Sequence, residues 1–296
     1  MVFGLAYCRA ESSAQDRNNP TVSLPMTAAY PAIVFVALVC GALILRRAQS
    51  RLALPVEQRL AIGMAAFCGA MLGAKLPFVL GGLIGNWRSL LDGTVWFSNG
   101  KTIMCGLVGA YFAVELTKWI LHIRTKTGDS FVVAAAVAIA IGRLGCLVAG
   151  CCYGLPTKLP WGLRCAAIDN LTRHPTQLYE SAFHALMAVL MIYGQRAGLW
   201  RGQWAKFYIL SYLLYRFFSE TLRPEARLSW GLTAYQWFAL AIAPAFITLW
   251  WYDARRLYGE SMQAIDPTPA PAVPLRRLAP SLATASPPAP GNEPTV

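Results

Sequence analysis

The sequence predicts an all-α integral membrane protein, a bundle of about seven transmembrane helices around a central cavity that lipid can reach. Three observations carry this. Apolar residues make up 56% of the chain and charged ones only 14%, with a mean hydropathy of +0.44, whereas soluble domains are about half apolar and about a quarter charged. Seven windows, near 28–45, 60–84, 102–122, 131–150, 177–193, 204–222 and 233–252, are suited to crossing a hydrocarbon core of roughly 30 Å. Most of them contain Gly and other small residues that let helices pack closely, and none shows the alternation of barrel strands.

Residues 1–27 are expected to lie on the extracytoplasmic side. Within them, 1–25 carry Pro, Asn and charges in place of an apolar signal core, so the first span is expected to act as the insertion signal. Residues 28–256 form the seven-span domain. Arg46 and Arg47 follow the first span, and Arg255 and Arg256 follow the seventh. An odd number of spans puts both doublets on one face, expected to be cytoplasmic, although the loop Lys and Arg divide almost evenly between the faces. Residues 257–296 are dominated by Pro, Ala, Ser and Thr, cannot bury a core, and are expected to form a disordered cytoplasmic tail.

Net charge is +12. The basic residues sit at span ends, where they orient the chain and meet anionic lipid, so no nucleic-acid partner is expected. No internal repeat is visible, which gives an inverted-repeat transporter little support.

Ionisable residues inside apolar spans are functional candidates by default. Lys75 lies in the second window, Glu115 and Lys118 in the third and Arg143 in the fourth. Arg143 cannot lose its proton and needs an anionic partner in hydrocarbon; a lipid phosphate, gripped in bidentate fashion, is the most abundant one available. Glu180 and His184 share the fifth window at i,i+4, as do Arg216 and Glu220 in the sixth. Either pair is readable as a local pair that makes its helix tolerable in lipid. Arg223 extends the second one along the same face, which points instead to the lining of a wet cavity. Lys118, near a span end, is expected to snorkel to the interface.

Gly142, Gly145, Gly150 and Gly154 bracket Arg143. Singly each reads as helix packing; together they suggest a helix ending in irregular backbone that a headgroup can approach. Tyr153 and Trp161 fit an interfacial aromatic belt. The eight cysteines occupy positions 8, 40, 68, 105, 146, 151, 152 and 165. Cys40 and Cys68 read as small apolar fillers. Cys146, Cys151 and Cys152 form a tighter group, read as packing or as part of a substrate cavity, because Cys-x4-Cys-Cys is not a standard zinc spacing. Neither metal nor cofactor is expected.

Three stretches resemble the prolipoprotein diacylglyceryl transferase family: Gly142-Arg143-Leu144-Gly145 with Gly150, Tyr153 and Gly154; His174-Pro175-Thr176-Gln177-Leu178-Tyr179-Glu180; and Arg216-Phe217-Phe218-Ser219-Glu220-Thr221-Leu222-Arg223. Gly73-Ala74-Lys75-Leu76 and Gly106-Leu107-Val108-Gly109 resemble two further family segments, and the match runs from about 60 to 225. The chain departs from the pattern where the family's histidine falls on Met104, its two asparagines on Cys146 and Ala149, and its glutamate on Cys151; Tyr30 is the candidate for its first-span tyrosine.

The resemblance implies a transferase of lipoprotein biosynthesis in the bacterial inner membrane, moving a diacylglyceryl group from phosphatidylglycerol to the lipobox cysteine thiol in a prolipoprotein signal peptide. It implies catalytic roles for Arg143, Arg216, Glu220 and His174. Headgroup contacts would come from Arg143, Gly142, Gly154, Gln177, Tyr179, Glu180, Arg223 and Lys75. His174 is equally readable as the residue that leads into a helix before Pro175. The departures leave two alternatives open: a transferase on the same scaffold with another acceptor, and a phospholipid-binding or transport protein without turnover.

Overall fold

The computed structural model describes residues 24–85, 102–164 and 171–265, with side chains for 29–80, 102–164 and 171–256. The expected extracytoplasmic segment up to 23, Cys8, Cys165 and the tail from 266 lie outside the described residues. The chain divides into two compact units, Met1–Asp253 and Ala254–Val296. The site described below lies in the first.

Seven α-helices are present among the described residues: α1 Leu24–Gln49, α2 Val56–Gly85, α3 Ile103–Ile120, α4 Gly128–Val148, α5 Thr176–Arg196, α6 Trp204–Ser219 and α7 Ala234–Ile265. Each overlaps one of the seven windows. Four contain a stretch long and apolar enough to cross a membrane: Ala29–Gln49, Val56–Leu80, Ile103–Ile120 and Gly128–Val148. α6 has 16 residues, about 24 Å at 1.5 Å per residue, and so falls short of a 30 Å core by itself. α5 carries Gln177, Glu180 and His184, all buried. α7 continues to Ile265, past the expected tail boundary at 257.

The first helices look outward through apolar side chains. Phe35, Leu38, Leu60, Met64, Phe67 and Leu72 are each more than half exposed, a surface that suits lipid and not water. In lipid, helices associate through close packing and not through expulsion of water. α2 and α3 achieve this with glycine: a Cβ on Gly73 would run into the Cys105 carbonyl, and one on Gly109 into that of Gly69. α1 packs along α4, and α4 along α5.

α6 is buried on two sides. Trp204, Ala205 and Tyr208 pack with Val132, Val133, Ala136, Met187 and Met191 of α4 and α5. Ile209, Tyr212 and Leu213 pack with Met104 and Val108 of α3 and with Ala239 and Phe246 of α7. Its start is held by Asp129 in the first turn of α4, whose carboxylate accepts hydrogen bonds from Gly202 N (2.5 Å) and Trp204 N (3.1 Å). An acid there satisfies orphan amides and suits the positive end of the helix dipole.

Two further features depart from the sequence reading. A two-stranded antiparallel ladder, β1 Leu163–Arg164 with β2 Thr172–Arg173, interrupts the helical order between α4 and α5. Lys118, expected to snorkel, is 6% exposed and meets Glu115 at 2.9 Å; a carboxylate one turn away replaces the interface as its partner.

Candidate functional site

α4 ends in the G-R-L-G segment. Gly150, just past the helix, has φ +64°; its N–H bonds Leu147 O at 3.1 Å, and Cys151 N bonds Cys146 O at 3.1 Å. This is a Schellman ending, in which glycine takes the left-handed position and the last carbonyls are satisfied. The chain then turns through Cys152, also left-handed at φ +61°. Thr176 Oγ1 donates to Cys152 O at 2.6 Å, and Gln177 Nε2 donates to Cys151 O at 2.5 Å. The H-P-T-Q start of α5 therefore clasps the loop that follows Arg143.

Gly154 is where this loop meets the rest. Its N–H bonds His174 O at 2.9 Å, and Leu155 N bonds Leu222 O at 2.8 Å. A Cβ on Gly154 would lie 2.7 Å from both His174 Cβ and Leu222 O. Gly154 thus serves a meeting of three backbones. A Cβ on Gly142 would meet nothing within 4 Å, and Gly145 lies against the Tyr30 ring, 3.4 Å from its would-be Cβ.

Above the loop, three arginines converge on one carboxylate. Arg143 Nη2 donates to Glu180 Oε1 at 2.6 Å, and Arg223 Nη2 donates to Glu180 Oε2 at 2.7 Å. Arg216 Nη1 lies 3.8 Å from the same Oε2, and its Nη2 lies 3.0 Å from Glu220 Oε2. Tyr212 donates its hydroxyl to Glu180 Oε1 at 2.5 Å. The Arg216 guanidinium rests on the Tyr235 ring, 4.6 Å from its centroid, a cation–π contact. All five charged groups are buried, none more than 5% exposed.

A buried charge must be paired, and three guanidiniums around two buried carboxylates leave a surplus of positive charge. Donors are left over as well: Arg143 Nε, Arg216 Nη1 and Arg223 Nε are buried without a hydrogen-bond partner among the described residues. Such a group of planar, fixed cations fits an anion with several oxygens, such as a phosphate.

Arg143, Glu180, Arg216, Glu220 and Arg223 are thus brought together. Glu180 does not pair locally with His184. That imidazole Nδ1 shares a 2.8 Å hydrogen bond with the Tyr208 hydroxyl. His174 and Tyr179 form a second, more exposed group, with His174 Nδ1 3.4 Å from the Tyr179 hydroxyl and Trp161 Nε1 donating to that hydroxyl at 2.8 Å. Lys75 is buried on α2. Met104 is 2% exposed and packs with Ile209 and Phe246, so it supplies no base. Tyr212 carries no charge to mark it in the sequence, although Tyr208, Tyr212 and Arg216 repeat every four residues along one face of α6 and Glu220 continues the spacing just past its end.

Below the arginines, the Sγ atoms of Cys146, Cys151 and Cys152 all lie within 4.8 Å of one another. The neighbouring Cys146 and Cys151 thiols, aided by the charges of Arg143 and Arg223, hold the Cys152 thiol well below its ordinary range despite its burial. Beside the arginine cluster, a cavity of about 590 Å³ opens between α5 and α6, lined by Phe183, Met187, Leu214, Tyr215, Phe218 and Leu222 among others.

Residues 22–252 match the family model described as prolipoprotein diacylglyceryl transferase. Similar proteins include the phosphatidylglycerol–prolipoprotein diacylglyceryl transferase of Clostridium tetani, 28% identical over 67% of this chain and 81% of that protein. The protein of the same name from Zymomonas mobilis is 29% identical over 62% of this chain and 66% of its own. Its counterpart in Coxiella burnetii is 31% identical over 62% and 72%.

Proposed function

The chain belongs to the prolipoprotein diacylglyceryl transferase family, and we propose that it performs the reaction for which its relatives are named. It is a transferase that takes a diacylglyceryl group from phosphatidylglycerol and joins it to the thiol of a prolipoprotein cysteine, the lipobox cysteine of a signal peptide. It works as a multi-pass protein of the inner membrane, anchored by the four helices that are long and apolar enough to cross it.

The observation that carries this reading is the convergence of Arg143, Arg216 and Arg223 on Glu180 with three guanidinium N–H groups unspent. The headgroup phosphate takes those donors. In the transfer, the thiol sulfur forms a bond to the terminal glyceryl carbon while that carbon's bond to phosphate oxygen breaks. The departing glycerol phosphate keeps the electron pair, and fixed guanidiniums aimed at the developing charge lower the barrier. Glu220, held by Arg216, takes the thiol proton. His174, hydrogen-bonded through Tyr179 to Trp161, orients the headgroup from the loop side. Glu180 fixes the three guanidiniums in place, because like charges would otherwise separate them.

The apolar cavity between α5 and α6 accounts for the rest of the lipid. Its lining residues Tyr215, Phe218 and Leu222 alternate with Arg216, Glu220 and Arg223 along the same stretch of chain. Acyl chains placed there leave the phosphate at the arginines.

The test is complementation of a strain depleted of its own diacylglyceryl transferase, with transfer from phosphatidylglycerol to a lipobox peptide measured in parallel. The wild-type chain should restore growth and transfer, and Arg143→Ala should restore neither at equal protein level. Failure of the wild-type chain in both assays would refute the reading.

A further inference from the structure

Cys146, Cys151 and Cys152 follow Arg143 within nine residues. The fold then gathers three thiols. Cys151 Sγ and Cys152 Sγ are 3.8 Å apart, and all three sulfurs lie within 4.8 Å of one another. Zinc–sulfur bonds of about 2.3 Å in a tetrahedron set neighbouring sulfurs at roughly 3.8 Å. One pair already has this spacing, and the others need less than about 1 Å of closure.

The group is held from two sides. Two sulfurs belong to a loop whose carbonyls are held by Thr176 and Gln177, and the third to the last turn of α4. Three thiolates carrying one zinc ion have a net negative charge, which suits a place beside Arg143 and Arg223. The group has three members among the described residues. Closed structural zinc sites have four protein ligands, whereas three ligands and one open position are the arrangement of catalytic zinc.

We propose that Cys146, Cys151 and Cys152 bind one zinc ion as a trio of thiolates, and that the open fourth position takes the acceptor thiol. This rests on the transferase reading above. The acceptor sulfur binds zinc as its proton passes to Glu220. Its lone pair then forms the bond to the glyceryl carbon, and the phosphate oxygen leaves with the electrons of the broken bond. Zinc remains divalent throughout, and the thioether formed is a weaker ligand that departs. A free thiol has a pKa near 8.5, and metal binding makes it a thiolate at neutral pH. The ion thus eases loss of the proton that Glu220 takes.

The experiment uses the full chain purified in detergent, with cobalt(II) as an optical probe and zinc content measured directly. We expect one equivalent of metal, a sulfur-to-cobalt charge-transfer band in the wild type, and a tenfold or greater loss of affinity in both Cys151→Ser and Cys152→Ser, set against roughly tenfold to hundredfold for disturbing even an outer support of a metal site. Cys40→Ser should bind as wild type does, and helical circular dichroism should show each variant folded. A lipobox peptide should shift the cobalt spectrum, whereas its Cys→Ser version should not.

An absent charge-transfer band in the wild type, or cobalt binding unchanged in folded Cys151→Ser, would overturn the site. Loss of metal in Cys165→Ser, a residue outside the described part, would make it a closed four-cysteine centre and overturn the open position. Metal binding that persists without transfer from phosphatidylglycerol would count against the transferase reading and leave the zinc site standing.

Discussion

Arg143 and Glu180 form a buried ion pair at 2.6 Å, with the arginine side chain 5% exposed and the glutamate fully enclosed. The pair ties the end of α4 to the first turns of α5, and through the second oxygen of Glu180 it reaches Arg223 beyond α6. One carboxylate thus sets the relative positions of three cations contributed by separate parts of the chain.

Replacing that carboxylate should therefore be severe. Glu180→Gln keeps the shape but leaves three guanidiniums facing one another with a neutral amide between them. Removing one partner of a buried pair costs about 3–5 kcal/mol. We expect a marked fall in detergent thermal stability and in the amount of folded protein, read by size-exclusion chromatography after heating. An unchanged melting curve would show that the arginines are paired elsewhere.

Tyr212→Phe removes a single hydroxyl that donates to Glu180 Oε1. A hydrogen bond to a charged group contributes about 1.5–3 kcal/mol. Because Arg143 still meets the same oxygen, the loss should fall at the lower end and be smaller than that of Glu180→Gln. Equal losses in the two variants would contradict the placement of Glu180 at the centre of the cluster.

Gly154→Ala tests the meeting of backbones below the site. The added methyl would lie 2.7 Å from His174 Cβ and from Leu222 O. Overpacking of this kind costs about 1–3 kcal/mol, and here the atoms that must move include backbone. Reduced stability with reduced transfer is expected. Wild-type behaviour would mean that the loop relaxes freely.

Gln177→Ala removes the hydrogen bond to Cys151 O and so frees one side of the cysteine loop. Cys151 is 7% exposed. Losing about 1.4 kcal/mol of restraint would raise the open population roughly tenfold. The alkylation rate of Cys151 by a small maleimide should rise by about that factor. A rate equal to wild type would show that Thr176 alone holds the loop.

Much of this was legible in the sequence because charge is rare inside apolar windows. Arg143, Glu180, Arg216 and Glu220 stand out on that ground, Arg223 extends the last pair along the same face just past its window, and the seven windows each correspond to a helix. Of their pairings only that of Arg216 with Glu220, one turn apart, is legible there. Spacing along one helix suggested Glu180 with His184, whereas partners from α4 and from the turn after α6 displaced the imidazole to Tyr208. The β1–β2 ladder escaped notice because strands of two residues carry no periodicity. The cysteine trio is legible as a group, but not the closeness of its three sulfurs. Its spacing is irregular in sequence, and the Schellman ending at Gly150 and the left-handed Cys152 bring the sulfurs together.

The account rests most directly on Arg143 acting as a planar fork on phosphate and not merely as a positive charge. The decisive measurement is the rate of transfer from phosphatidylglycerol to a lipobox peptide by Arg143→Lys, compared with wild type at equal amounts of folded protein. Lysine keeps the charge but loses the second parallel hydrogen bond and the fixed orientation. Each charge-assisted bond contributes about 1.5–3 kcal/mol, so turnover should fall roughly tenfold to a hundredfold, and further still in Arg143→Ala. Transfer by Arg143→Lys at the wild-type rate would contradict the account and leave Arg143 as no more than a counter-charge for Glu180.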